Sequence, residues 1–254
     1  MQAVLRHFIQ TENEAGFTSR AGEISRLEAF SDAVFAFAVT LLVVSLEVPH
    51  NFHDLISVMK GFPAFAICFA MLTQVWYEHS LFFRRYGLQD TYSVLLNCVL
   101  LFVVLFYVYP LKFLFTVLVG EMTHGVLMSG GEAHAALQDA SEARALLIIY
   151  GLGFAAVFGV FTLLYLYAYR KRKALELNEL ECHLTRHRLM NNFAMMLFGL
   201  GSALLALLLP EGRGGLAGFI YFGIGFYYWI AGMIMGKKER IIRERVESET
   251  HVVR

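Results

Sequence analysis

The chain has 254 residues, of which 57% are hydrophobic, 15% aromatic and only 17% charged. Soluble domains run at about 45–50% apolar residues, so this composition excludes an ordinary soluble globular protein and points to a bilayer. The formal net charge of +0 removes the bulk basic field that draws proteins to phosphate backbones, and no nucleic-acid partner is expected.

Residues 1–25 are polar and carry no basic stretch followed by an apolar run and a small-residue cleavage site. No signal peptide is expected, and the first apolar helix would direct insertion. That helix is entered through Arg26, Glu28 and Asp32; from Ala33 to Leu46 every residue is apolar except Thr40 and Ser45. At about 1.5 Å per residue, the stretch with its flanks is long enough to cross a hydrocarbon core of roughly 30 Å. A carboxylate at Asp32, one or two turns inside, is costly there and calls for a partner. The helix carries two adjacent seams, one small (Ala29, Ala33, Ala36, Thr40) and one bulky (Phe30, Val34, Phe37, Leu41, Val44). At 100° per residue, Phe37 points about 140° away from Asp32.

Six apolar segments are predicted, at about 29–48, 56–80, 92–118, 145–169, 189–209 and 214–236. With the N-terminus inside, all of the 21 Lys and Arg except Lys60, Lys112, Arg144 and Arg213 fall in the inner segments 1–26, 81–90, 170–188 and 237–254. The four exceptions sit beside outer helix ends, where a long stem can snorkel to water. Five or seven spans would break this alternation, so the expectation is six spans with both termini cytoplasmic. The outer loop of about 119–143 holds Glu121, Glu132, Asp139 and Glu142 but no Lys or Arg, and reads as a solvated loop, with a cation-attracting vestibule as the alternative. Residues 170–188 read as helix four continuing into the cytoplasm, with Leu177, Leu180 and Leu184 on one face. The basic tail 237–254 reads as helical and close to anionic headgroups.

Depth arithmetic gives Asp32 its neighbours. It lies six residues beyond Arg26, roughly 9 Å into the membrane. His79 lies five residues before the inner end of helix two at Arg84, Trp76 three further back, and Asn97 seven residues past Asp90 on helix three. Ser31, Asp32, Trp76, His79 and Asn97 therefore share one slab, where buried polar groups must satisfy one another; a network linking helices one, two and three is expected.

The string Arg26-x-x-x-Phe30-Ser31-Asp32 opening a first membrane helix, with Trp76-Tyr-Glu-His79 near the end of helix two and Asn97 on helix three, resembles the TMEM175 family of potassium-permeable channels, specifically its single-repeat prokaryotic type. The string occurs once, so this chain is one repeat. The resemblance implies an all-α integral membrane protein of six transmembrane helices, four copies of which surround a pore lined by helix one. It implies passive, potassium-favouring flux with potassium as permeant and no cofactor, in the cell (inner) membrane, with membrane lipids as the other partner. It assigns the positions five and eight after the Asp, here Phe37 and Thr40, to a hydrophobic constriction and a hydroxyl layer, with Leu41 and Val44 continuing outward. Family members more often have Ile or Leu where this chain has Phe37. Arg26, Phe30, Ser31, Asp32, Trp76, His79 and Asn97 are assigned to the motif and its inter-helix network. The domain reading is a cytoplasmic segment 1–25, a channel domain 26–236 and a tail 237–254.

Two other classes stay open: a proton-coupled transporter using Asp32 and His79, with Pro63 and Pro110 as the interior helix breakers it would need, and a non-conducting membrane scaffold in which Phe37 faces lipid. No Thr-Val-Gly-Tyr-Gly filter and no row of Arg is present, so selectivity would have to come from a constriction and Thr40 hydroxyls. Three scattered cysteines (Cys68, Cys98, Cys182) form no C-x-x-C pair. Glu47, His50 and His53 read as a surface cluster, and His183 with His187 lacks the Glu of a zinc protease motif, so no metal site is expected. No Walker loop or nucleophile elbow is present, and the chain does not read as an enzyme. The pairs Gly214/Gly218 and Gly232/Gly236 read as close helix packing.

Overall fold

The computed structural model describes residues 17, 20, 24–44, 49–123, 140–210 and 214–234. Every regular element among them is helical: α1 (Arg26–Val44), α2 (Phe52–Lys60), α3 (Phe62–Tyr86), α4 (Thr91–Met122), α5 (Ala140–Arg170) and α6 (Glu179–Leu208). A 3-10 stretch, Gly214–Tyr221, then leads into the last helix, and the run Leu216–Ile234 is here called α7. Five of these (α1, α4, α5, α6, α7) are long and apolar enough to cross a membrane, and six spans result if α2 and α3 count as one bent span. The chain is a multi-pass helical membrane protein.

The second span was expected to be continuous over 56–80. Instead it bends by 46° between α2 and α3. Pro63 sits in the first turn of α3 and has no N–H to offer the carbonyl of Met59, so the ladder stops there. Asn51 caps α2 by accepting from the Asp54 N–H, which fixes its start. Pro110, the other candidate breaker, lies within α4 without ending it.

Residues 170–188 differ as well. They are not one helix continuing from the fourth span: α5 stops at Arg170, a run of turns follows, and Glu176 takes a left-handed φ of 49°. Helix α6 starts afresh at Glu179 in a capping box, where Asn178 Oδ1 accepts from the Glu181 N–H and Glu181 Oε2 accepts from the Asn178 N–H. Leu180 is buried, and Leu177 and Leu184 pack on the core. The tail 237–254 and most of the 119–143 loop lie outside the described residues.

The helices fall into two groups. Helices α1, α3 and α4 pack on one another, α5 packs on α6 and α7 on both, and α4 against α5 joins the groups. The α5–α6 crossing is made by backbone. A Cβ on Gly199 would lie 2.7 Å from the Gly151 carbonyl oxygen and 2.8 Å from the Ala155 nitrogen, and one on Gly151 would meet Gly199 O at 2.7 Å. The small pairs that bring helices together are thus Gly151/Ala155 and Gly199/Ala203. The expected pairs are not: Gly218 has ordinary contact with Leu147 at 3.9 Å, Gly232 has nothing within 4 Å, and Gly236 lies outside the described residues.

The end at which α1, α4 and α6 begin and α3 and α5 finish, called the near end here, is where the groups exchange charge. Three ion pairs are found among the described residues, all at 2.6 Å: Lys171–Asp90 and Arg188–Glu78 cross between the groups, and Arg20–Glu181 ties the chain ahead of α1 to α6.

Candidate functional site

Helix α1 turns one side inward and leaves the other bare. Ser31, Phe35, Ala38 and Leu42 are buried. Ala29, Phe30, Asp32, Ala33, Ala36, Phe37, Thr40, Val43 and Val44 are exposed, Phe37 to 55% and Val44 to 73%, while Leu41 is half-buried. A run of bulky apolar and small residues on a membrane helix, left uncovered by the described residues of its own subunit, is a surface for lipid or for another subunit.

The buried side is fixed by a chain of polar groups. Ser31 Oγ donates to the Leu27 carbonyl at 2.8 Å, so it accepts from Asn97 Nδ2 at 2.9 Å with its lone pair. The amide of Asn97 then presents Oδ1 to His79 Nε2 at 2.7 Å, and only the Nε2–H tautomer can donate to it. The imidazole is held between Phe35 and Phe83, with ring centroids at 5.5 and 4.7 Å. One residue from each of α1, α3 and α4 enters this chain, so each fixes the rotation of its own helix against the others.

Asp32 is not part of it. The carboxylate lies on the exposed side, and its Oδ1 accepts from Trp76 Nε1 at 2.7 Å. The expected single network is therefore two separate sets, Ser31–Asn97–His79 inside and Asp32–Trp76 outside. Adjacent residues on a helix share a depth but point 100° apart, which is why one slab holds both. Removing Asp32 would thus leave the bonds from Asn97 to Ser31 and from His79 to Asn97 in place, while His79 Nδ1 is buried with no hydrogen-bond partner among the described residues. No hydrogen bond joins Asp32 to His79 among the described residues, so a proton relay between them has no direct path. Arg26 and Phe30 belong to neither set and are exposed, Phe30 to 58%.

Beside the Asp32–Trp76 bond a groove of about 390 Å³ opens between α1 and α3, lined by Asp32, Phe35, Ala36, Val39, Phe69, Leu72, Thr73 and Trp76. Thr40 lies further along α1. Its hydroxyl reaches its own backbone, at 2.8 Å from the Ala36 carbonyl and 2.9 Å from that of Phe37. With its single proton spent there, the oxygen turns its lone pairs away from the helix. Among the described residues no group of three His, Cys, Asp or Glu could hold a metal ion.

Sequence reasoning missed the ion pairs at the near end. The signal was present in Asn178-Glu-Leu-Glu181, a capping box whose acid also receives Arg20.

The model of the family described as "Endosomal/lysosomal potassium channel TMEM175" matches residues 26–107, which hold α1, the Trp76–His79 pair and Asn97. A protein of Marivirga tractuosa described as "Potassium channel" is 40% identical over 229 residues, or 88% of this chain and 92% of that protein. A solved structure of a variant of the potassium channel MtTMEM175 has a TM-score of 0.75 and 38% identity, covering 92% of this chain and 97% of that one. A second, described as a lysosomal potassium-selective channel TMEM175 homolog from Chamaesiphon minutus, has a TM-score of 0.51 at 23% identity over 86% of this chain and 97% of that one, and shows the fold alone. The chain belongs to the TMEM175 family. Its relatives are named as ion channels and not as enzymes, in keeping with the absence of catalytic motifs from the sequence.

Proposed function

We propose that the chain is a passive potassium channel of the cell (inner) membrane, a homotetramer whose α1 helices line the pore. The single observation that carries this is the bare side of α1. One subunit offers Phe37, Thr40, Leu41 and Val44 along an uncovered or half-covered helix face, and one helix cannot enclose a pore, so the axis is shared between copies. Phe37 forms the hydrophobic constriction, which sheds water when narrow, and Thr40 contributes hydroxyl oxygens just beyond it, with Leu41 and Val44 extending the wall. The role of Ser31, Asn97, His79, Asp32 and Trp76, with Arg26 and Phe30 of the same string, is to hold α1 at a fixed rotation and depth.

In this reading α2 and α3 act as one span, giving six, and the near end is cytoplasmic, with both termini on that side. The division into a segment 1–25, a channel domain 26–236 and a tail 237–254 follows. Potassium is the permeant and no cofactor is needed. Phe102, Phe106, Tyr109 and Phe113 on α4 are about as exposed in one subunit as Phe37 is, and this reading assigns them to lipid. Reconstituted in liposomes, the wild type should pass potassium faster than sodium without a proton gradient. Absence of flux from a protein of tetrameric mass would leave the scaffold reading in its place.

A further inference from the structure

The groove between α1 and α3 plays no part in the pore reading, and its two ends differ in chemistry. Asp32 and Trp76 stand at one end, and from there it runs to Val39 on α1 and Phe69 on α3. Seven residues separate the ends on each of these two helices, which makes the groove about 10 Å long. Phe35, Val39, Phe69 and Leu72 are its apolar walls, and the exposed Ala36 between them contributes only a methyl group. A volume of about 390 Å³ is within the range of small-molecule sites, which are mostly apolar with a few placed polar groups.

The polar groups here are acceptors. Asp32 Oδ1 takes the Trp76 Nε1–H at 2.7 Å, which spends the one donor the indole has. Among the described residues no other hydrogen bond reaches that carboxylate, and none of the three ion pairs includes it. Thr73 Oγ1 gives its proton to the Phe69 carbonyl at 2.9 Å, so it too has only lone pairs left to offer. The complement to this end is therefore a donor that carries positive charge. A hard inorganic cation takes a shell of six or more oxygens, and the groove offers only the Asp32 carboxylate and Thr73. An organic ammonium head needs one carboxylate, and a half-exposed indole beside it adds cation–π attraction. We propose that the groove binds an amphiphilic organic ammonium ion, its head on Asp32 and Trp76 and its apolar tail along Phe35, Val39, Phe69 and Leu72. Such a cation gathers where headgroups meet acyl chains, and Asp32 lies roughly 9 Å into the membrane, so the ligand enters from the bilayer. The site is complete within one subunit. It needs no position for a shared axis and stands whether or not the protein conducts.

The test uses the full chain in lipid nanodiscs, with Trp229→Phe leaving Trp76 as the sole tryptophan and so as the reporter within the groove. The probes are 4-phenylbutylamine, whose chain is about as long as the groove, and the uncharged 4-phenylbutanol of nearly the same shape. The amine should change the Trp76 emission saturably, and the alcohol should need at least about tenfold more, because it lacks the charged head. Asp32→Asn keeps an acceptor for the indole and removes the charge, and should weaken the amine by about tenfold or more. Ala36→Leu fills the groove with every polar group in place and should weaken amine and alcohol alike. Equal affinity for the two probes in the parent protein would overturn the proposal, leaving an apolar crevice for lipid tails. No saturable change would overturn it too, as when a second copy covers the groove. Unaltered amine affinity in folded Asp32→Asn or Ala36→Leu would place the amine elsewhere and reject the site. If both variants failed to fold, the comparison of amine with alcohol on the parent would still decide.

Discussion

The two helix groups solve the same problem, close packing inside a bilayer, by opposite means. Helices α5 and α6 meet through glycine, with backbone against backbone at Gly151 and Gly199. Helices α1, α3 and α4 meet through a relay of side-chain hydrogen bonds from Ser31 to Asn97 to His79. A lipid-facing helix gains nothing from burying leucine against leucine, so association must come from tight contact or from polar groups with nowhere else to go. Tight contact gives rigidity. A polar chain with fixed donors and acceptors gives rotational register, because turning any one of the three helices breaks the bond from Asn97 to Ser31 or the bond from His79 to Asn97. The group held in register is the one containing α1, whose bare side carries Phe37 and Thr40, and it is also the region matched by the family.

The largest expected effect breaks the glycine-built group. In Gly199→Leu the new Cβ would sit 2.7 Å from a carbonyl oxygen and 2.8 Å from an amide nitrogen, neither of which can swing aside. Overpacking of this kind against backbone should cost roughly 3 kcal/mol or more, seen as loss of folded protein in detergent melting. Gly232→Ala, with nothing within 4 Å, should leave the melting unchanged. An equal loss in the two would mean that α5 and α6 are not in backbone contact.

Next comes the polar chain. Asn97→Leu strips His79 and Ser31 of their partner inside the bundle and should cost about 1–3 kcal/mol, the penalty for leaving buried polar groups unsatisfied. Asp32→Ala should cost less, because it deprives only the half-exposed Trp76 of its acceptor and leaves the chain from Ser31 to His79 whole. Detergent melting of the two variants side by side checks the order, and the reverse order would place Asp32 at the centre of the anchor.

A smaller effect concerns the joint between the groups, through pH. Asp90 caps α4 and faces Lys171, the Ser93 N–H and the Tyr167 hydroxyl. Partial desolvation pushes its carboxyl up, but these donors outweigh that and hold it well below the ordinary value of 3.8. The folded state therefore binds this proton less readily than the unfolded state. The stabilisation is complete above the ordinary carboxylate range and is lost as pH falls below about 4. Hydrogen exchange at the start of α4 should be flat from neutral pH down to about 5, after correction for intrinsic rates, and rise in more acidic solution. Asp90→Asn should abolish that rise, and an unaltered rise in it would assign the response to another carboxylate.

How much of this was legible in the sequence follows the same division. Helix α1 and its polar neighbours could be read because polar groups at membrane depth are few and expensive, so sharing a slab is informative. Which of Ser31 and Asp32 turns inward could not be read, since depth says nothing about direction and the two differ by 100° of rotation. The α5–α6 contact was hidden because its motif pairs glycine with alanine on two helices, while the more visible pairs near the C-terminus do not make it. The end of α5 was misread for a similar reason: Arg-Lys-Arg-Lys-Ala-Leu-Glu favours helix at every position, and only the Asn178–Glu181 box announces a new start. The bend at Gly61 was hidden because a proline near a helix start is ordinary, and nothing local said that a helix began there.

The smallest expected effect on stability is also the sharpest test of the bare side of α1. Among the described residues the Thr40 hydroxyl bonds to the carbonyls of Ala36 and Phe37 on its own helix and to no other helix. Thr40→Ala frees an exposed group and should shift melting by less than about 0.5 kcal/mol, as surface changes usually do. If four copies bring Thr40 together round an axis, the same change removes four outward-turned oxygens that stand in for part of the hydration of a passing ion. In that arrangement potassium, which holds its water less tightly than sodium, would cross a Phe37 collar more easily, and the hydroxyl layer would add to that preference. Thr40→Ala should then lower the ratio of potassium to sodium flux at unchanged oligomeric mass. Phe37→Asn should raise both fluxes and lower the ratio, since a polar collar stays wet. Phe37→Leu separates two accounts of the collar: a steric ring predicts equal or greater flux, whereas attraction of the cation to the aromatic faces predicts less. Flux of both ions through wild type and the three variants in liposomes decides between them, and identical behaviour of all four would return Thr40 and Phe37 to a lipid-facing surface and move the pore to another helix.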